Sequence, residues 1–253
     1  MYFRFNYFGS ACIAVPSQLS FIEYIKHSLK IAFAADGNIQ GNRVSSKLVC
    51  YFIYYFEKIS ADPNNALHAF AHADGRYHLM GCMLSAASCN KWWMEGILNT
   101  ADFSAVQEAI ARDTLGRGHV YFLPYLMGER SPHNDPAARS AFVGMTMDTT
   151  RADMTRAVLE GVAFGIRDSL EAARSLGLYI RRSKICGGGA KSPIWKEIFA
   201  NALNMELECV ETEEGPGYGG AILAAVACGA FSSVREAAEK LVKVTSVVKP
   251  EPE

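Results

Sequence analysis

The stretch Ile185-Cys-Gly-Gly-Gly-Ala-Lys-Ser-Pro-Ile-Trp195 carries the strongest indication of the fold. It predicts a strand that ends in three glycines, followed by a helix that begins at Pro193. Ser192 suits the N-cap of that helix, and proline suits its first position. Glycines let the backbone approach a ligand closely, and a helix N-terminus offers unpaired N–H groups to an anion or a polar nucleotide group.

A second apolar stretch, Met205–Val210, follows this helix and predicts a second strand. The resulting β-α-β unit would place the glycine loop at the carboxyl end of a strand, where open α/β sheets bind ligands. The loop is neither a Walker A sequence nor a complete GxGxxG. A tight strand-to-helix turn without a ligand therefore explains the same glycines, and the choice depends on the rest of the chain.

The composition is that of an ordinary globular protein with one large or two small domains. The chain has 253 residues, of which 50% are hydrophobic and 20% charged, and its formal net charge is −1. This balance gives no general attraction to nucleic acid or to an anionic membrane. No apolar run approaches the ~20 residues that span a bilayer. We expect neither nucleic acid nor a membrane as a partner.

The seven cysteines are widely spread and include no CxxC pair. An odd number at such spacing favours free thiols in a reducing cytosol over a disulfide framework, so the predicted localisation is cytoplasmic. No group of cysteines and histidines has the spacing of a zinc site, and we assign no metal ligand.

The chain changes character near residue 60. Residues 1–61 are rich in aromatic and apolar side chains, with a strand-like stretch at Val49–Phe56 and a possible short helix at Phe21–Ala34. They form either a docking segment or sequence that does not belong to the fold. From Asp62 onward, turn signals and periodic apolar patterns alternate regularly.

The regular part predicts alternating strands and helices. Glu213–Gly220 is interpreted as a second glycine-rich turn. Gly128–Pro136 is interpreted as a polar loop that is either a solvated connector or a binding loop. The other predicted strands are Leu67–Ala71, Tyr77–Met80 (joined by a turn at Asp74-Gly75) and His119–Leu123, and the other predicted helices are Ser88–Leu98, Phe103–Arg112, Ala221–Gly229 and Val234–Leu241.

The longest predicted helix is Thr150–Leu176, which we interpret as a core helix. Thr150 and Asp153 resemble a capping box, and Gly177 suits a C-terminal stop. Apolar residues recur every four positions and form one stripe along the helix. The stripe consists of Met154, Val158, Val162, Ile166 and Leu170.

Taken together, the chain resembles the C-terminal lobe of the FGGY carbohydrate kinases, most closely the xylulokinases. The resemblance covers residues 62–248, leaving residues 1–61 without a family match and residues 249–253 as a tail. It implies an α/β fold, an actin-like ATPase (ribonuclease H-like) lobe with a mixed sheet flanked by helices. The segments that match in order and spacing are Leu84–Trp92, Gly128–Arg139, Phe142–Thr146, Arg156–Phe164, Gly187–Ser192 and Glu214–Ala221.

The resemblance implies that this lobe binds ATP or ADP, with Mg²⁺ as the metal of the complete kinase. Gly188 and Gly189 would line the adenosine site, with Ser192 and Pro193 beside it. Two further positions fall where the family often has a glycine and a glutamine near the nucleotide. In this chain they are Ala87 and Lys91.

The family's N-terminal lobe, with its catalytic aspartate, should stand before Asp62, and residues 1–61 do not resemble it. We therefore assign no catalytic residue. We expect little or no kinase activity from this chain alone, and we expect a pentulose such as D-xylulose to bind only with such a lobe. A partner lobe or a homo-oligomer is expected. Two alternatives are a non-catalytic nucleotide-binding or regulatory module and a decayed or misread gene product.

Other polar residues have a structural interpretation beside the functional one. Asp135, Asp148 and Asp153 are interpreted as turn or cap residues. His133 could contact a phosphate or a sugar, or form hydrogen bonds within its loop. The remaining candidates are Arg130 and Arg139 (phosphate, or pairing with Asp135), Lys191 (phosphate or solvent), and Trp92 and Trp93 (stacking or core).

Overall fold

The computed structural model describes residues 62–73, 75–212 and 215–251, together with the backbone of one earlier strand, Cys50–Phe56. At positions 113, 215 and 216 it describes the backbone only. The predicted helix Phe21–Ala34 and residue Asp74 of the predicted turn lie outside these residues.

The strands and helices alternate along the described chain. The strands are β1 (Cys50–Phe56), β2 (His68–Ala71), β3 (Tyr77–Met83), β4 (Tyr121–Leu123), β5 (Ala141–Val143), β6 (Arg182–Ile185), β7 (Glu206–Val210) and β8 (Val244–Val248). The helices are α1 (Ala86–Lys91), α2 (Phe103–Glu108), α3 (Arg151–Ser175), α4 (Pro193–Leu203), α5 (Gly215–Ala227) and α6 (Val234–Leu241), with a π-helical turn at Trp92–Ile97 and 3₁₀ turns at Arg112–Thr114 and Gly188–Lys191.

Three sheets contain these strands. β1, β3 and β2 form an antiparallel sheet in that order, and β4 pairs with β5. β6 and β7 are parallel and β8 joins β7 antiparallel, so the third sheet is mixed. The parallel pair with α4 between its strands confirms the predicted β-α-β unit. β8, at the far edge, was missed because no turn or apolar alternation marks it in the sequence.

Helix α3 organises the core. Thr150 accepts a hydrogen bond from the N–H of Asp153, and the Asp153 carboxylate accepts one from the N–H of Thr150, which confirms the predicted capping box. Gly177 has φ +82°, the left-handed conformation expected at a helix stop. Val158, Val162 and Leu170 of the stripe are fully buried. The core around them joins side chains from β3, α1, α4 and β7.

Several predicted boundaries were wrong. The helix predicted at Phe103–Arg112 ends at Glu108, and the helix predicted at Ser88–Leu98 begins at Ala86 and continues as a π-helical turn. Residues 215–220, predicted as a glycine-rich turn, form the first turns of α5. Proline lacks the N–H that a first helical turn leaves unpaired, so Pro216 is compatible with a helix start that the turn interpretation overlooked.

The described residues divide into two compact units. Pro216–Leu241 belongs to one unit and the other described residues to the second. Within the first unit, the Tyr218 hydroxyl donates to the carbonyl of Leu241 at 2.8 Å. None of the helices in the described part of the chain is both long and apolar enough to cross a bilayer.

Candidate functional site

A cavity of about 620 Å³ lies at the N-terminus of α4. The glycine loop after β6 forms one side of it, and residues of α1 and α2 form the other. The structure brings all six predicted site residues onto its wall. They are Ala87, Lys91, Gly188, Gly189, Ser192 and Pro193. Their role in binding a nucleotide stays a prediction.

The glycine loop turns sharply after β6. Gly187 has φ +86°, and Gly188–Lys191 then forms a 3₁₀ turn before α4. A Cβ at Gly188 would have no heavy atom within 4 Å, so the backbone at this position is open on its cavity side. A Cβ at Gly189 would lie 3.2 Å from Cζ3 of Trp195. Gly189 therefore has a packing role against the indole, in addition to any contact with a ligand.

Ser192 connects this loop to α2. As the N-cap of α4, its hydroxyl oxygen accepts a hydrogen bond from the N–H of Trp195 at 3.2 Å, and Pro193 is the first helical residue. The same hydroxyl donates to Oε1 of Gln107 at 2.6 Å. The prediction of Ser192 and Pro193 as helix-start residues is confirmed, and the second hydrogen bond holds α2 against the cap.

By exposed area, the wall of the cavity is mostly apolar. Phe103 and Ile110 line it from the α2 side, and Ile194 and Trp195 from α4. The Trp195 indole is 2% exposed and donates to the carbonyl of Leu159 at 3.0 Å. Burial and the hydrogen bond from its N–H together hold this ring in one position. A rigid wall of this kind suits a flat apolar or heteroaromatic group.

Two buried amides on the wall were missed by sequence reasoning. Gln107 is 7% exposed and Asn90 is 5% exposed, and both line the cavity. Oδ1 of Asn90 has no hydrogen-bond partner among the described residues. Helical spacing offered a weak signal for Gln107, because it lies four residues after Phe103 and three before Ile110, on the same apolar face.

Charged side chains surround the mouth of the cavity. Lys91 lies 3.7 Å from Glu95, one helical turn further along. Arg112 forms an ion pair with Glu197 of α4, and the hydrogen bond that it donates to this carboxylate raises the pKa of the guanidinium. Both cations lie beside the N-terminal half of α4, where an anionic group would also meet the helix dipole.

Several exposed groups of the polar loop Gly128–Pro136 are engaged by other residues of the protein. Nε2 of His133 lies 3.0 Å from the Tyr125 hydroxyl and 3.4 Å from Oδ2 of Asp168. The Asp135 carboxylate accepts hydrogen bonds from the backbone N–H groups of Ala137 and Ala138. Arg139 donates to carbonyl oxygens rather than to Asp135. The interpretation of Asp135 and Asp153 as turn and cap residues is confirmed, and the predicted pairing of Arg139 with Asp135 is wrong.

Glu129 is the buried member of the polar loop. It is 2% exposed, and its Oε1 accepts hydrogen bonds from the backbone N–H groups of Leu84 and Arg130 at 3.2 and 2.7 Å. Burial raises the pKa of this carboxyl. Glu129 therefore fastens the loop to the end of β3, and it does not line the cavity at α4.

The candidate aromatic and metal sites have simpler explanations. Trp93 is 3% exposed and its indole N–H donates to the Thr155 hydroxyl at 3.0 Å, while Trp92 stacks on Phe122; this confirms both tryptophans as core residues. Within the described ranges, no cluster of three or more His, Cys, Asp or Glu residues could hold a metal ion.

A second cavity, of about 970 Å³, lies at the other end of α4. Glu160 lines it, and its carboxylate is engaged by the N–H of Gly116 at 2.9 Å. None of the predicted site residues lines this cavity. The cavity at the N-terminus of α4 is therefore the candidate site.

Similar proteins cover most of the described chain. The model for the C-terminal domain of the FGGY family of carbohydrate kinases matches residues 52–228. A xylulose kinase of Staphylococcus epidermidis is 33% identical over 196 residues, which are 77% of this chain and 39% of that protein. A xylulose kinase of Escherichia coli K12 is 33% identical over 204 residues, 79% of this chain and 42% of that protein.

A solved structure agrees with these sequences. The crystal structure of a xyloylose kinase from Brucella ovis superposes with a TM-score of 0.72 and 33% identity, over 80% of this chain and 42% of that one. The chain spans about two fifths of the length of these relatives. The predicted α/β fold with an actin-like ATPase lobe is confirmed. This protein belongs to the FGGY family of carbohydrate kinases, whose C-terminal domain it contains.

Proposed function

We propose that residues 62–248 are the nucleotide-binding lobe of an ATP-dependent sugar kinase that acts on D-xylulose. The observation that carries this proposal is the placement on one cavity, at the N-terminus of α4, of the six residues that the family resemblance implied. The sugar is taken from the names of relatives at 33% identity.

The cavity has the size and chemistry that an adenosine group requires. Its volume of about 620 Å³ lies within the ~300–1,000 Å³ of typical ligand pockets. The apolar side chains of Phe103, Ile110 and Ile194 suit the faces of a purine base. The open backbone at Gly188 and the positive end of the α4 dipole suit the sugar and the phosphates that follow.

Phosphoryl transfer needs groups that this cavity does not provide. A general base must take the proton from the attacking sugar hydroxyl, and Mg²⁺ neutralises charge on the transferred phosphoryl group. Asp135 and Asp153 are engaged in a turn and a helix cap, and neither lines the cavity. We propose that a second lobe supplies the base and the pentulose site, and that residues 62–248 alone turn over little or no sugar.

The proposed compartment is the cytoplasm. The cysteines that the structure describes are free thiols, and Cys82, Cys89 and Cys209 among them are buried. Reduced thiols of this kind are the usual state in a reducing cytosol.

Calorimetric titration with ATP and ADP in the presence of Mg²⁺ tests the nucleotide site. We expect saturable binding by the wild-type chain. A leucine at Gly188 would project into the cavity without meeting protein atoms near its Cβ, so Gly188→Leu should weaken binding more than tenfold while the fold is retained. Gly96→Leu, at an exposed helical glycine outside the cavity, is the matched control. Equal affinities of wild type and Gly188→Leu, or no binding by the folded wild type, would refute the proposal.

A further inference from the structure

Gln107 combines burial with an unused hydrogen-bonding group. The side chain is 7% exposed, and what it exposes faces the cavity at α4. Its carbonyl Oε1 accepts from the Ser192 hydroxyl at 2.6 Å. No described residue bonds to its amide nitrogen Nε2, which carries two hydrogens.

The orientation of this amide is determined by the helix cap. The Ser192 oxygen already accepts the N–H of Trp195, and its single hydrogen needs an acceptor. Oε1 of Gln107 is that acceptor. Rotating the amide by 180° would place Nε2 against Ser192, and the hydroxyl hydrogen would then have no acceptor among the hydrogen bonds of the described residues. The cap therefore presents Nε2, a donor, to the cavity.

We propose that Gln107 reads the base of the bound nucleotide by donating from Nε2 to a ring nitrogen of the purine. The inference rests on the proposed nucleotide site and adds a specificity-determining residue to it. Gln107 is 7% exposed, so a ligand that covers it without an acceptor at this point would bury an unpaired donor. A site of this kind rejects analogues that lack the matching atom more strongly than an apolar pocket does.

Among the neighbouring residues, Gln107 is the one best suited to recognise the base. Asn90 is the other buried amide on the wall, but its Oδ1 is enclosed by protein and nothing described determines which way its amide faces. Lys91 and Arg112 carry charges that suit phosphates rather than a neutral ring. Gln107 alone of these residues has a neutral donor held in one orientation by a second side chain.

Purine nucleotides that lack single ring nitrogens test the inference. The affinities of ATP and of the triphosphates of 1-deaza-, 3-deaza- and 7-deazaadenosine are measured with wild type, Gln107→Met and Ala105→Met. We expect wild type to bind one of the three analogues about tenfold more weakly than ATP, the usual effect of one hydrogen bond. Gln107→Met should bind ATP and that analogue equally, because the donor is gone. Ala105→Met, at an exposed position of α2, should keep the wild-type pattern.

The outcomes separate this inference from the function on which it rests. If wild type binds ATP but shows the same affinity for all three analogues, Gln107 does not read a ring nitrogen, and the nucleotide site stands. The same holds if Gln107→Met keeps the distinction between ATP and the weak analogue. If the folded wild type binds no ATP, the proposed function and the inference are both wrong. If Gln107→Met fails to fold, Gln107→Glu takes its place, because a glutamate keeps the acceptor for the Ser192 hydroxyl and lacks the amide donor.

Discussion

Two polar regions of this protein use their hydrogen-bonding groups in opposite ways. The polar loop Gly128–Pro136 is the denser of the two in charged residues, and its Asp135 accepts hydrogen bonds from the N–H groups of Ala137 and Ala138 just after it, at 2.8 and 3.1 Å. Two further side-chain atoms of the loop, Oε2 of Glu129 and Oγ of Ser131, have no described partner but are enclosed by protein. At the cavity at the N-terminus of α4, by contrast, Nε2 of Gln107 has no described partner and belongs to a side chain that lines open space. A polar atom can bind a ligand if it has no partner within the protein and faces open space. The polarity of a region alone is therefore a poor guide to a binding site.

The largest expected effect concerns stability in the polar loop. Glu129→Ala removes the carboxylate that accepts the backbone N–H groups of Leu84 and Arg130 and leaves both part-buried donors without this acceptor. We expect the free energy of unfolding to fall by about 3 kcal/mol, since each unsatisfied buried donor costs ~1–3 kcal/mol. Urea unfolding of the wild type and the variant measures this difference in the free energy of unfolding.

The ATP affinity of Glu129→Ala is measured as a contrast to its stability. The fraction of Glu129→Ala that remains folded should bind ATP as wild type does, because Glu129 does not line the cavity. Glu239→Ala, at an exposed pair with Arg235, is the control and should change stability by less than ~1 kcal/mol. A folded Glu129→Ala with weakened ATP binding would show that the loop contributes to the site.

The second expected effect compares two helix caps of the same kind. Ser192 caps α4 and Thr150 caps α3, and each hydroxyl accepts the N–H three residues ahead. Ser192→Ala and Thr150→Ala should each lower the free energy of unfolding by about 1 kcal/mol. Only Ser192→Ala should also weaken ATP binding, because it releases the amide of Gln107. Equal ATP affinities of the two variants would remove the link between the cap and the cavity.

The third expected effect is a gain in stability from the cavity wall. Asn90 buries an amide oxygen without a described partner, and such an atom opposes folding. Asn90→Leu, of similar volume, should raise the free energy of unfolding by up to ~1 kcal/mol. Thermal unfolding without nucleotide tests this prediction. A marked loss of stability instead would mean that Asn90 is paired in solution, for example through a bound water.

The smallest expected effect is a dependence on pH. Burial raises the pKa of Glu129, so between the ordinary glutamate pKa of ~4.3 and the raised value the folded protein holds a proton that the unfolded chain has lost. Stability attributable to Glu129 is therefore present below that window and decreases as pH rises through it. Glu129→Gln cannot titrate. The melting temperature of wild type relative to Glu129→Gln should thus fall with rising pH, and a constant difference would contradict the prediction.

The sequence alone determined the local parts of this protein. Ser192 and Pro193 start α4, Thr150 and Asp153 start α3, and Gly177 ends it, because caps and stops depend on residues a few positions apart. Family motifs identified the lobe for the same reason, since order and spacing are properties of the chain. Where several local structures were compatible, as in residues 215–220, the local prediction was wrong.

Only the tertiary structure decided which polar groups remain available to a ligand. Gln107 and Ser192 are 85 residues apart in sequence, and their hydrogen bond both joins α2 to the glycine loop and orients the amide. In the sequence His133 was a candidate for a ligand contact and Gln107 was missed, because their partners Tyr125 and Ser192 were not known. A polar group is free or engaged according to the atoms around it, and packing brings those atoms from distant parts of the chain.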